Sequence, residues 1–418
     1  MKIRIKLEKE NLFCILVLWI WGQTILLSFL RAVISRLPFM GRDPALPDII
    51  LTGVFIILIL LATPAYRLSK KDFAFLASVI CIYLGEMAFY ADGQEFLDQY
   101  LIDFGIKVLP LYIIGVSLGN AEYEDVIIYR MYLVSIITLI VSITYRFLFS
   151  APMDEVVSKY EGDMYHAYSI LPHCCLIAYY TIAAKKGNFL NIACMIIGGV
   201  YLLMLGSRGP SLIYLALITT LTVAGKNYKR TIVKTICFSL AIYAFIVSPW
   251  YHITLLTMYE KANQWGLSVR VFDKLMTGMA VYSSGRDVIE ASSIDIIKES
   301  SIIGNGLFSD RVLLGGYAHN IALELWLDFG IIFGTIALLA IIIVLFRGYC
   351  SSQKILEKGL ILTLIFSSFF RLFMSGSYLD EGLLFLLLGI CVCSIRKNRN
   401  INSDFLLTPN GEKIRARH

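Results

Sequence analysis

Residues 317–346 read YAHNIALELWLDFGIIFGTIALLAIIIVLF. From Ile321 to Phe346 the only ionisable side chains are Glu324 and Asp328. A stretch this apolar satisfies its own backbone polar groups as a helix, and about 20 such residues cross a ~30 Å hydrocarbon layer. It is read here as a membrane helix, long enough to tilt or break. A His–Asn pair, His319 and Asn320, stands at its mouth, where apolar residues would insert more easily.

The same pattern recurs along the chain. Of 418 residues, 58% are hydrophobic and 16% charged, with a mean hydropathy of +0.72. Soluble globular proteins run about 45–50% apolar and about 25% charged. Apolar runs recur at approximately 12–34, 48–63, 73–90, 104–118, 126–149, 167–184, 189–205, 211–224, 233–249, 319–346, 359–374 and 381–395. The expected fold is an all-α polytopic membrane protein of about twelve transmembrane helices. The basic start MKIRIKLEKE precedes LFCILVLWIWGQTILLSFL, too long for a signal-peptide core and without a small-x-small cleavage site, so it reads as a retained first span. Nine cysteines form no CxxC pair, which argues against both a disulfide framework and a thiolate zinc site.

Orientation follows from Lys and Arg, which accumulate in short cytoplasmic loops. With the N-terminus inside, well over half of the 37 basic residues fall on the cytoplasmic side, among them Arg67, Lys70, Lys71, Lys354, Lys358, Arg396 and Lys397. Both termini are then cytoplasmic. The acidic stretch AEYED, residues 121–125, dissents from that placement. The expected organisation is a membrane bundle of about nine helices over 1–249, a long periplasmic loop over 250–318, C-terminal membrane helices over 319–397 and a disordered tail over 398–418. Within the long loop, VRVFDKLMTGMAVY and RDVIEASSIDIIKE are amphipathic and read as helices at the membrane surface or folded over the bundle.

Polar residues gather at the outer ends of these spans. GSRGP, residues 206–210, places Ser207 and Arg208 in a tight outer turn; SSGRD, 283–287, places Arg286 after a glycine; FFRLFMSGSYLDE, 369–381, carries Arg371; GNGLFSDR, 304–311, ends on Arg311. Guanidinium groups present a planar fork of donors matched to phosphate oxygens, and glycine beside arginine lets backbone N–H groups approach the same anion. Imidazole titrates near neutrality, so His319 is a candidate base for a hydroxyl, with Asn320 and Tyr317 beside it to orient a substrate. Blander readings stand alongside. Arg31 and Arg371 also fit snorkelling anchors, and Glu324 and Asp328, at i and i+4, fit a structural partnership with an arginine. His166, His173 and His252 show no ligand spacing and read as packing residues. GGYAHN lacks the trailing Lys-Ser/Thr of a phosphate loop, and no nucleic-acid partner is expected.

The order of these features resembles the O-antigen polymerase and O-antigen ligase superfamily of bacterial envelope proteins. The residues that carry the resemblance are SRG at 207–209, SSGRDVIEASSIDIIKESSIIGNG at 283–306 and YAHNIALELWLDFGIIFG at 317–334. It implies a C-type glycosyltransferase bundle in the inner membrane, its site facing the periplasm, needing no metal or nucleotide cofactor. The donor would be a glycan on undecaprenyl diphosphate. Arg208 and Arg286 would bind the diphosphate, His319 would activate the acceptor hydroxyl, and transfer would invert the anomeric centre. Membrane lipids and a chain-length regulator are the further partners it suggests. Ligases often carry a second histidine just before the HN; here Gly-Tyr-Ala stands there, which favours a polymerase. An O-antigen ligase and a lipid-linked oligosaccharide flippase are the alternatives.

Overall fold

The computed structural model describes residues 10–23, 46–89, 104–121, 124–149, 156–184, 188–205, 207–223, 249–264, 286–299, 304–403, 405–407 and 413–415. The regular structure is all-helical but for one small ribbon. The helices are α1 (Glu10–Gln23), α2 (Leu46–Ala62), α3 (Lys70–Phe89), α4 (Leu109–Gly119), α5 (Glu124–Phe149), α6 (Val156–Ile182) and α7 (Phe189–Met204). They continue with α8 (Arg208–Val223), α9 (Pro249–Gln264), α10 (Arg286–Glu299), α11 (Ser309–Leu314), α12 (Ile321–Ser351), α13 (Ile355–Leu364) and α14 (Gly382–Ser403). Of the expected loop helices, RDVIEASSIDIIKE is α10. All but the last residue of the span expected over 233–249 lies outside the described residues, as do the helix expected over 269–282 and Arg31. The tail expected to be disordered continues α14 to Ser403, then pairs β1 (Phe405–Leu407) antiparallel with β2 (Lys413–Arg415).

Two described helices are long and apolar enough to cross a membrane, Glu124–Thr144 within α5 and Ile321–Ser351. The second is not straight. Gly330 takes φ 77° and ψ 168°, a conformation essentially confined to glycine. Beyond it, a Cβ on Gly334 would lie 2.7 Å from the Leu325 carbonyl carbon, and Trp326 Nε1 donates to Thr335 Oγ1 over 3.0 Å. Residues nine apart in an unbroken helix stand roughly 13.5 Å apart along its axis. The chain therefore bends sharply at Gly330. The single span expected over 319–346 becomes a buried arm, 321–329, and an apolar arm, 331–351, of about 30 Å. On the second arm Ile331, Ile332, Phe333, Ile336, Leu339, Ile343 and Phe346 are all 49% exposed or more. This arm is long and apolar enough to cross a hydrocarbon layer.

The chain divides into two compact units. The first comprises residues 1–13, 59–128 and 285–418. Its tightest pair is α4 against α14, set by glycines spaced as GxxxG. A Cβ on Gly115 would overlap the Leu386 carbonyl, one on Gly119 would meet Cys393 Cβ at 2.8 Å, and one on Gly389 would overlap the Tyr112 carbonyl. Small residues let helix backbones approach in this way where no hydrophobic effect drives association. One end of the unit is tied by ion pairs, Arg396 to Asp72 at 2.6 Å and Glu124 to Lys354 and Lys397 at 3.2 and 3.7 Å. Glu124 and Asp125, which close the acidic stretch, therefore sit against basic side chains, Asp125 meeting Lys354 at 3.5 Å. At the other end of α3, Glu86 accepts the Leu307 N–H over 3.1 Å.

The second unit comprises residues 14–58 and 129–284. Its core runs along α6, where Leu171, Cys174, Cys175 and Ile177 are fully buried. Pro172 sits inside this helix and removes one ladder hydrogen bond. Several polar groups among the described residues of the unit are paired. Trp21 Nε1 donates to Ser135 Oγ over 2.8 Å, His173 Nδ1 lies 3.2 Å from the same hydroxyl, and Tyr132 donates to Asn191 Oδ1 over 2.5 Å.

Candidate functional site

His319 occupies the left-handed region, with φ 57°. Only a few per cent of non-glycine residues do so, and surrounding contacts must hold them there. On its C-terminal side, Asn320 is extended and its Oδ1 accepts the Ala322 N–H over 3.0 Å, the geometry of a helix N-cap. On its N-terminal side, the buried Ala318 donates its N–H to Asp310 Oδ2 over 3.1 Å. The Tyr317 ring packs on the imidazole with centroids 4.1 Å apart. His319 Nδ1 is shielded from solvent and has no hydrogen-bond partner among the described residues. Burial, followed by the positive charge of Arg286, lowers the imidazole pKa to about 4. Both effects favour the neutral form of the ring.

Arg286 is the first residue of α10, and its Nη1 donates to the Met374 carbonyl over 2.5 Å. Met374 lies in the turn that follows α13. There the N–H groups of Met374 and Ser375 both donate to the Arg371 carbonyl over 2.8 Å. Gly376, with φ 99°, lets this turn close against the Arg371 guanidinium. Arg371 Nη1 pairs with the buried Glu381 at 2.7 Å. The charge of Arg286 thus acts on His319, and Arg371 sits in the turn that receives Arg286.

Beneath them lies a buried charge cluster. Arg311 Nη1 contacts Asp310 at 2.7 Å and Glu324 at 3.0 Å, and Nη2 reaches Asp380 at 3.4 Å. Burial opposes the charge on Arg311, but the Asp310 and Glu324 carboxylates overcome it and raise its pKa. Glu324 also accepts from the Ser377 hydroxyl and, at 3.2 Å, from the Tyr378 N–H. Asp328, one turn on, accepts from Ser309 Oγ at 3.2 Å and Tyr378 Oη at 2.8 Å. Arg311, expected to hold substrate, is held by carboxylates. Asn320, expected to orient substrate, caps α12, which answers why an amide stands at the mouth of that helix.

Arg208 and Ser207 belong to the second unit. Arg208 opens α8, and the buried Ser207 offers its carbonyl to Ser211 Oγ at 3.1 Å. His166, also in that unit, lies 3.1 Å from Tyr201 Oη. Among the described residues, no group of three or more His, Cys, Asp or Glu side chains is placed to hold a metal ion. Sequence reasoning missed Asp310, whose only signal is an acidic–basic doublet placed before the paired glycines 315 and 316. It also missed the GxxxG contact, visible as Gly115 and Gly119.

The structure is that of a predominantly helical, strongly apolar protein whose first unit holds both Arg286 and the shielded His319 Nδ1. The chain matches no protein-family model and no curated protein sequence.

Proposed function

We propose that this protein is a polytopic glycosyltransferase of about twelve spans. It joins polyprenyl-diphosphate-linked oligosaccharide repeat units into an O-antigen or capsule-type polysaccharide on the periplasmic face of a bacterial inner membrane. The observation that carries the reading is the left-handed, half-buried His319 with its shielded, unpartnered Nδ1, in the same unit as Arg286 at the head of α10. Arg286, at the N-terminus of α10, supplies guanidinium donors for a diphosphate at a helix end that favours anions. His319 receives the acceptor's hydroxyl proton as that oxygen attacks the anomeric carbon. The bond from that carbon to the diphosphate oxygen breaks, and the leaving diphosphate takes the electron pair while Arg286 balances its charge. Arg371 is a flanking cation, with Tyr317 lining the approach. Membrane placement draws support from the two apolar helices and from the exposed second arm of α12.

The test is the polysaccharide ladder from cells carrying His319→Ala or Arg286→Ala at parental abundance. A single repeat unit on the lipid A core is the expected outcome. Undecorated core with accumulated lipid-linked polymer indicates a ligase instead. Single units stranded on the inner leaflet indicate a flippase. A parental ladder from both variants removes the proposal.

A further inference from the structure

We infer that Asp310 is a positioning residue, whose carboxylate joins the buried Arg311 cluster to the peptide before His319 and so holds the imidazole in its shielded, left-handed setting. This rests on the functional reading above only for its consequence in transfer; the structural claim stands separately.

The two oxygens of Asp310 face different ways. Oδ1 accepts from the Arg311 N–H at 2.9 Å and from Arg311 Nη1 at 2.7 Å. Oδ2 accepts the Ala318 N–H at 3.1 Å. Asp310 and Ala318 are fully buried, so water offers this N–H no substitute acceptor. Between them runs a tight excursion through Gly315, at φ 68°, Gly316 and Tyr317, and the chain re-enters regular structure only at the Asn320 cap. His319 is therefore pinned from both sides, by Asp310 through Ala318 and by Asn320 through Ala322. The same cluster reaches the other half of the site. Arg311 binds Glu324 and Asp380, and Glu324 takes the Ser377 hydroxyl and the Tyr378 N–H, fixing the 374–381 segment whose first carbonyl receives Arg286. One charged network thus sets the backbone under both His319 and the acceptor of Arg286. Facing His319 are Arg286 from α10, Tyr317 from its own segment and, one peptide away, Asp310 from α11.

The readout is carbethoxylation of His319 in native membranes, quantified per molecule by mass spectrometry across pH 4–8. Only neutral imidazole reacts, so the profile reports the setting of His319 without reference to transfer. In the parent, the rate at pH 5.5 is expected to stay close to that at pH 8. In Asp310→Asn, one contact turns donor to donor, the segment relaxes, and a ring with an ordinary value near 6.5 reacts roughly tenfold more slowly at pH 5.5 than at pH 8. Asp310→Glu keeps the charge opposite Arg311, and with it the fold, yet displaces the oxygen that meets Ala318; it shifts the profile in the same direction. Asp295→Asn removes the exposed partner of Lys298 and keeps the parental profile. A parental profile in both Asp310 variants overturns the inference, whatever the ladder shows. A shifted profile, with a parental ladder from His319→Ala, upholds the positioning role and sinks the glycosyltransferase reading instead.

Discussion

The Asn305 N–H donates to the Leu327 carbonyl over 2.8 Å, across 22 residues of chain. In an unbroken helix that carbonyl accepts from the N–H four residues on, at Ile331. The break at Gly330 frees it, and the Gly-Asn-Gly segment 304–306 takes the place of the next turn. Gly306 N–H repeats the arrangement on the Asp328 carbonyl at 3.0 Å. The glycine pair before the site and the glycine after Phe329 are therefore two sides of one contact. It turns α12 from the buried arm that carries Glu324 and Asp328 into the apolar arm.

Gly304→Ala tests that contact. Gly304 has φ 82°, and its Cβ would lie 2.5 Å from the Asp328 carbonyl oxygen and 2.6 Å from the Phe329 carbonyl carbon. Both are backbone atoms, unable to swing aside as a side chain does. Left-handed backbone costs an alanine about 1–2 kcal/mol, and overpacking adds about 1–3 kcal/mol. A large fall in the thermal midpoint of detergent-purified protein is expected, and a parental midpoint refutes the docking.

The α4–α14 contact makes a separate prediction. Gly115→Ala and Gly389→Ala each set a methyl against a neighbouring backbone, and each is expected to destabilise by about 1–3 kcal/mol. Gly53, in α2, has open space around its Cβ position. Gly53→Ala should be neutral or stabilising by roughly 0.5–1 kcal/mol, since alanine favours a helix interior. Equal unfolding temperatures for Gly115→Ala and Gly53→Ala would contradict the close approach.

Much of this was legible in the sequence, for particular reasons. Apolar runs require helices, so the helical character of every expected span within the described residues followed from composition. The i, i+4 spacing of Glu324 and Asp328 announced a shared face, and one of the two does meet an arginine. The identity of that arginine was not legible, because it depends on a fold of the chain between Ser309 and Asn320 that no periodicity encodes. That Asn320 caps α12 was not legible, because an N-cap and a ligand-orienting amide have the same sequence appearance. The bend in α12 hid inside uniform hydrophobicity, since Gly330 and Gly334 are both common in membrane helices and neither need break one.

Arg311 is expected to be a structural necessity rather than a contact to substrate. Removing it leaves Asp310 and Glu324 buried without a counter-charge, and breaking a buried pair in this way costs about 3–5 kcal/mol. Arg311→Met should therefore lower protein abundance sharply. Combining it with Glu324→Gln and Asp310→Asn should restore part of that abundance, because no net charge is then left uncompensated among the three. Normal abundance with loss of polymer in Arg311→Met alone would reassign this residue to substrate.

His319 carries a pH signature with a definite sign. Its folded-state pKa lies at about 4, below the ordinary value near 6.5, because burial and then Arg286 disfavour the imidazolium. Between those values the unfolded chain binds more protons than the folded one, so stability falls as pH drops from about 6.5 to about 4 and levels off below. His319→Gln cannot take up that proton and should flatten this part of the unfolding profile. Arg286→Gln removes the repulsion but not the burial, so the imidazole should titrate higher than in the parent while staying below 6.5. A bound diphosphate acts in the same direction by neutralising Arg286. The base is then weakest in an empty site and strengthens when donor arrives. Carbethoxylation profiles of the parent with and without inorganic diphosphate read this directly: the half-reaction pH should rise on addition, by less in Arg286→Gln, and an unmoved profile rules out electrostatic contact between the anion and His319.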